Sequence, residues 1–72
     1  MAYKLTPLGS SVALRIQNAN TPENAVLVYL YEHWTEPIEI DELVGELHST
    51  ESLVLKIINR FLNMDSPYIK EV

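Results

Sequence analysis

Ala2-Tyr3-Lys4-Leu5 opens the chain and Tyr68-Ile69-Lys70-Glu71-Val72 closes it. Both stretches alternate apolar and polar side chains with the period of a strand. Alone, each is a weak strand; side by side they support one another as a small antiparallel sheet. The pairing can form within one chain, bringing the two termini together, or between two copies. Tyr3 and Tyr68 are expected to face each other across it, an aromatic pair worth ~0.2–1 kcal/mol.

Working inward from the first strand, Thr6 fits a helix N-cap and Pro7 the first helical position, where its missing N–H costs nothing. Leu8, Val12, Ile16 and Ala19 follow at helical spacing, with Asn18 and Asn20 as the exit. Gly9, Ser10 and Ser11 weaken the intrinsic preference of this helix, so it must rely on packing. Thr21-Pro22-Glu23 repeats the opening, with an acid at the positive helix end. Val26, Leu27, Leu30, Tyr31 and Trp34 form one stripe, while Val28 and Tyr29 stand on other sides. A helix apolar nearly all round is buried from more than one direction. Pro37 ends the helical signal.

Working inward from the last strand, Asp65-Ser66-Pro67 has turn chemistry. Before it, Val54, Ile57, Ile58, Phe61 and Met64 mark the core face of a helix over 51–63, capped by Ser49 or Thr50. Ile38-Glu39-Ile40 is a minimal strand. Asp41 is placed to cap a short helix carrying Leu43, Val44 and Leu47, and His48-Ser49-Thr50 is the turn between the two helices. No repeat or linker interrupts 1–72, so the reading is a single domain of mainly α (α+β) class: three to four helices with a small antiparallel sheet.

The order strand, short helix, tight turn, longer helix, strand resembles the winged helix-turn-helix family from Ile38 to Val72, about fifty residues once the preceding helix is included. Leu43 and Leu47 on the first helix, with Val54, Ile58 and Phe61 on the second, match the positions that fix the helix angle in the family. Tyr3-Lys4-Leu5-Thr6-Pro7-Leu8-Gly9 looks like the segment that closes the wing and starts the next helix in antibiotic-resistance-type repressors. The order is thus permuted, with the last wing strand and the following helix moved to the front. The resemblance implies a transcription-regulating DNA reader or a docking and dimerisation module descended from one. In the family register Glu51, Ser52, Leu55, Lys56, Asn59 and Asn63 point outward from the 51–63 helix, with Arg60 on a flank.

Composition separates those two uses. Ten acidic residues against five basic ones give a net charge of −5, whereas phosphate neutralisation supplies most nucleic-acid affinity. For DNA, Lys56 and Arg60 would meet phosphates, Asn59 would read an adenine edge, and Ser52, Lys4 and Lys70 would assist. Glu51 would repel the backbone. For a protein partner, Val28, Tyr29, Leu55, Leu62, Tyr3 and Tyr68 are the candidate contacts, because exposed apolar patches mark interfaces. The favoured reading is a protein-interaction module, self-associating as a dimer; the alternative is a DNA-binding regulator.

No catalytic pattern competes. Ser10 and Ser11 lack a nucleophile elbow, and His33 and His48 lack the paired spacing of a zinc helix. Glu36, Glu39, Asp41, Glu42 and Glu46 lack the order of a calcium loop and read as a solvated acidic face. No cofactor and no small-molecule substrate is expected. The absence of Cys suits a cytoplasmic protein, and no apolar run approaches membrane-spanning length.

Overall fold

The computed structural model describes residues 1–72. Seven elements follow in the order β1 (Ala2–Leu5), α1 (Pro7–Leu14), α2 (Pro22–Glu32), β2 (Ile38–Glu39), α3 (Ile40–Glu46), α4 (Glu51–Leu62) and β3 (Ile69–Glu71). The class is mainly helical α+β, with four helices and one antiparallel sheet of order β2-β1-β3.

The two ends pair within one chain. β1 lies against β3 with Tyr3 opposite Glu71, Lys4 opposite Lys70 and Leu5 opposite Ile69. On its other edge Ala2 faces Glu39 and Tyr3 faces Ile38. No exchange with a second copy is needed to complete the sheet. This register corrects the expected Tyr3–Tyr68 pair. Tyr68 precedes β3, its carbonyl accepts from the Thr6 N–H at 2.9 Å, and its ring lies 5.6 Å from that of Phe61 instead.

Thr6 is the joint of this closure. Its hydroxyl accepts from the Gly9 N–H at 3.0 Å, capping α1. The same hydroxyl donates to the Pro67 carbonyl at 2.6 Å. One side chain therefore starts a helix and fastens the C-terminal segment to it. Gly9 completes the fit, because a side chain there would run into the Tyr68 backbone.

α1 is shorter than the spacing of Leu8 to Ala19 suggested, closing at Arg15 with a tight last turn. The Asn18 side chain accepts from the Asn20 N–H at 3.3 Å, a local turn that competes with helix continuation. α2 stops at Glu32, short of Trp34. His33 supplies its end: the ring stacks on Tyr29 with centroids 4.1 Å apart, and Nδ1 lies 2.9 Å from the Tyr29 carbonyl. β2 ends at Glu39, and Ile40 already belongs to α3. The helix cap is thus Glu39, not Asp41, and its carboxylate makes no capping bond. It pairs with the Met1 amine at 3.1 Å instead. α4 starts on the Thr50 cap, whose hydroxyl accepts from the Leu53 N–H at 3.2 Å.

Twelve apolar residues form one core. Val26, Leu27 and Leu30 of α2 meet Val54, Ile57, Ile58 and Phe61 of α4, with Leu43 from α3 beneath them. Tyr3, Ile38 and Ile69, one from each strand, seal the sheet side of that core, and Ala13 seals the α1 side. No buried side-chain polar atom lacks a partner.

Candidate functional site

α4 is the helix that the sequence marks for contact, and it presents a mixed face. Glu51, Ser52, Lys56, Asn59, Arg60 and Asn63 are all exposed. Leu55 is half-buried, and the exposed leucine is Leu53. The periodicity of α4 explains the exchange: Leu53 lies on the edge of the helix shared by Lys56, Ile57 and Arg60, away from the Val54, Ile58 and Phe61 face. Leu53, Lys56, Ile57 and Arg60 line a shallow depression of 450 Å³, and Glu23 of α2 closes its far side. The two cations most useful to a phosphate therefore share their depression with a carboxylate.

The other two candidate cations lie on the sheet. Leu5 and Ile69 turn toward the core, so Lys4 and Lys70, the alternate pair, share the opposite face of β1 and β3. With them on a depression of 240 Å³ are Leu5, Pro7, Ser10 and Trp34. Trp34 is 67% exposed. Sequence periodicity assigned it to the core stripe of α2, and it escapes because the helix ends two residues earlier.

Of the predicted protein contacts, Tyr3 is buried at 3% exposure and belongs to the core. Tyr29, Leu62 and Tyr68 are half-buried against it, and Val28 is half-buried as well. Apart from the terminal Met1 and Val72, the large apolar groups left in water are others: Leu8 and Leu14 on α1, Tyr31 on α2, Trp34 beyond it, and Leu53 on α4. α1 and α2 pack together, so Leu8, Leu14 and Tyr31 belong to a single helix pair. Leu14 is the last residue of α1 and falls outside the face that buries Gly9 and Ala13.

Charge is divided along the chain. Between Arg15 and Lys56 there is no Lys or Arg, and that stretch holds Glu23, Glu32, Glu36, Glu39, Asp41, Glu42, Glu46 and Glu51. α3 and both its flanks are consequently acidic. The Tyr29 hydroxyl donates to the Glu42 carboxylate across this region. That bond, then burial, then the charges of Glu42 and Glu46 push the Tyr29 phenol up to about 12. Tyr3 is also raised, by burial first and then by Glu71 and Glu39. Glu36, Glu39, Asp41, Glu42 and Glu46 do not assemble into a metal-holding cluster.

Two further features were not visible beforehand. His48, in the turn between α3 and α4, has φ of 50°. The His48 N–H donates to Gly45 at 3.4 Å and the Ser49 N–H to Val44 at 3.1 Å, the bond pattern of a helix end that usually places glycine in the left-handed residue. Beside it lies a depression of 320 Å³, floored by Val54 and Ile57 and rimmed by Asn20, Thr21, His48 and Ser49. No helix is long and apolar enough to cross a membrane. No protein-family model matches the chain, and neither does any curated protein or solved structure at a significant level.

Proposed function

We propose that this chain is a non-catalytic binding module of winged-helix type, with permuted order, that acts through protein–protein contact. The partner that its α1–α2 surface fits is a second copy. The observation that carries the reading is the exposure of Leu8, Leu14 and Tyr31 on that helix pair, at 44%, 68% and 36%. Single exposed apolar residues are ordinary; three large ones on adjacent helices of so short a chain make a candidate patch. The winged-helix part rests on the sequence resemblance, whose permuted order expects β1 and β3 to pair antiparallel.

A second copy also suits the energetics. A chain of this length buries only about 60% of its unfolded surface, so association adds stability the core lacks. A standard interface takes roughly 800 Å² per partner, a modest share of the 4701 Å² this chain exposes.

Sedimentation equilibrium from micromolar to millimolar protein tests the proposal. The mass should rise from 8.2 kDa toward its double, and Leu14→Glu should hold it at the monomer. A constant monomer mass over that range would overturn it.

DNA binding is the second reading, carried by Lys56 and Arg60 on the exposed side of α4. Glu23 beside them and Glu51 at the helix start weigh against it. If duplex DNA is bound there, Lys56→Glu should abolish binding and Glu51→Lys should strengthen it. Loss of binding with rising salt would mark the phosphate contacts.

A further inference from the structure

We infer that Lys4, Lys70 and Trp34 form a docking site for a short acidic peptide segment of a partner protein. This rests on the reading of the chain as a protein-binding module and adds the chemistry of a second contact.

Lys4 and Lys70 stand directly opposite one another in the β1–β3 register. Like charges in that position destabilise a sheet, and neither lysine has a carboxylate within salt-bridge distance, since the one ion pair of the molecule joins Met1 and Glu39. The local repulsion is relieved when an anion lies between the ammonium groups. Beside them the largest apolar side chain left in water, Trp34, borders the same 240 Å³ depression. Two cations next to an aromatic surface suit a carboxylate with a neighbouring apolar side chain. The volume takes one or two side chains, not a whole folded surface.

The size of the positive patch selects a peptide over a nucleic acid. A strand of nucleic acid tracks a long cationic groove and stacks successive bases. Here the cations number two, and the chain running on from Trp34 carries Glu36, Glu39, Asp41, Glu42 and Glu46. A polyanion longer than the patch would meet that acidic stretch and be repelled. A segment with one or two carboxylates would not reach it.

Trp34 is the only tryptophan, so its emission and its indole N–H report on this site alone. The full chain is titrated with the end-capped synthetic peptide Leu-Asp-Phe-Glu, with its uncharged analogue Leu-Asn-Phe-Gln, and with an oligothymidine. The acidic peptide should shift the Trp34 indole and the Lys4 and Lys70 amides. The double variant Lys4→Gln, Lys70→Gln should bind about tenfold more weakly or worse, while melting no lower than wild type because a like-charge pair is gone. Equal shifts from the uncharged analogue would overturn the inference, as would tighter binding of the oligothymidine, or no shift at millimolar peptide. Failure of the self-association reading shows instead as a constant mass in the absence of peptide, so the two are told apart.

Discussion

Replacing Gly9 with alanine separates two opposed expectations. From propensity alone, alanine inside a helix is better than glycine by about 1 kcal/mol. The tertiary structure reverses the sign. A methyl at Gly9 would stand 2.8 Å from the Tyr68 carbonyl carbon and 3.0 Å from its Cα, with the carbonyl oxygen nearer still. Ordinary contact needs roughly 3.5 Å, so the Tyr68 backbone has to withdraw from α1. That withdrawal breaks the Thr6 N–H bond to Tyr68 at 2.9 Å and loosens the Thr6 hydroxyl bond to Pro67 at 2.6 Å. Two hydrogen bonds at about 1 kcal/mol each and overpacking of about 1–3 kcal/mol, less the propensity gain, leave a net loss of about 3 kcal/mol. For a domain of this size that lowers Tm by roughly 12–24 °C. Gly45→Ala is the internal control: nothing lies within 4 Å of its added methyl, and it should stabilise by about 0.5–1 kcal/mol. Thermal melts of both variants decide the matter. A Gly9→Ala protein that melts at or above wild type would refute the close approach of α1 to the C-terminal segment.

The remaining predictions concern the turn, the caps and the tyrosines. His48→Gly removes a left-handed non-glycine residue at φ of 50° and should stabilise by about 1 kcal/mol, read as a higher urea midpoint; a lower midpoint would show that the imidazole makes a compensating contact. Thr6→Ala should cost about 2 kcal/mol, because it loses both a cap and the bond to Pro67. Thr21→Ala loses only a cap and should cost about 1 kcal/mol; equal losses in urea titrations would contradict the joint at Thr6. In an ultraviolet titration of wild type, Tyr29 should ionise near pH 12, well after an ordinary tyrosine at about 10. The raised value favours the folded protein below pH ~10, and that contribution fades as pH climbs through the folded value. Glu42→Gln should return Tyr29 toward the ordinary value while Tyr3, raised chiefly by burial, stays high. No change on Glu42→Gln would remove the Tyr29–Glu42 bond from the account.

Much of the fold follows from local chemistry that sequence states openly. Thr6-Pro7, Thr21-Pro22 and Thr50 each cap the helix they announce, because a hydroxyl reaching back to its own first turn needs no distant partner. The core of α4 was equally readable, since Val54, Ile57, Ile58 and Phe61 share one helical face. The alternation at both chain ends pointed to paired strands, and one chain does pair them. What periodicity could not supply was where helices stop. Ile16 and Ala19 continue the spacing of α1, yet the helix closes at Arg15, where the Arg15 and Ile16 N–H groups donate to Val12 and Ala13 in a tightened last turn. Trp34 continues the stripe of α2, yet His33 ends it. The early end of α2 leaves Trp34 in water. The register between Tyr3 and Glu71 was also hidden, because it depends on where Thr6 clasps Pro67 and Tyr68. On the candidate surface, Lys56, Asn59 and Arg60 are as exposed as their spacing implies. Leu53 and Leu55 exchange roles because a helix face is decided by what packs on it, not by family register.

The central claim is that the α1–α2 surface, rather than α4, meets the partner, and that the partner is another copy. An amide NMR dilution series from millimolar to micromolar protein tests it residue by residue. The account predicts concentration-dependent shifts confined to Leu8, Leu14, Tyr31 and their neighbours, with Lys56, Asn59 and Arg60 unmoved. Shifts centred on Lys56 and Arg60, or none anywhere, would contradict it.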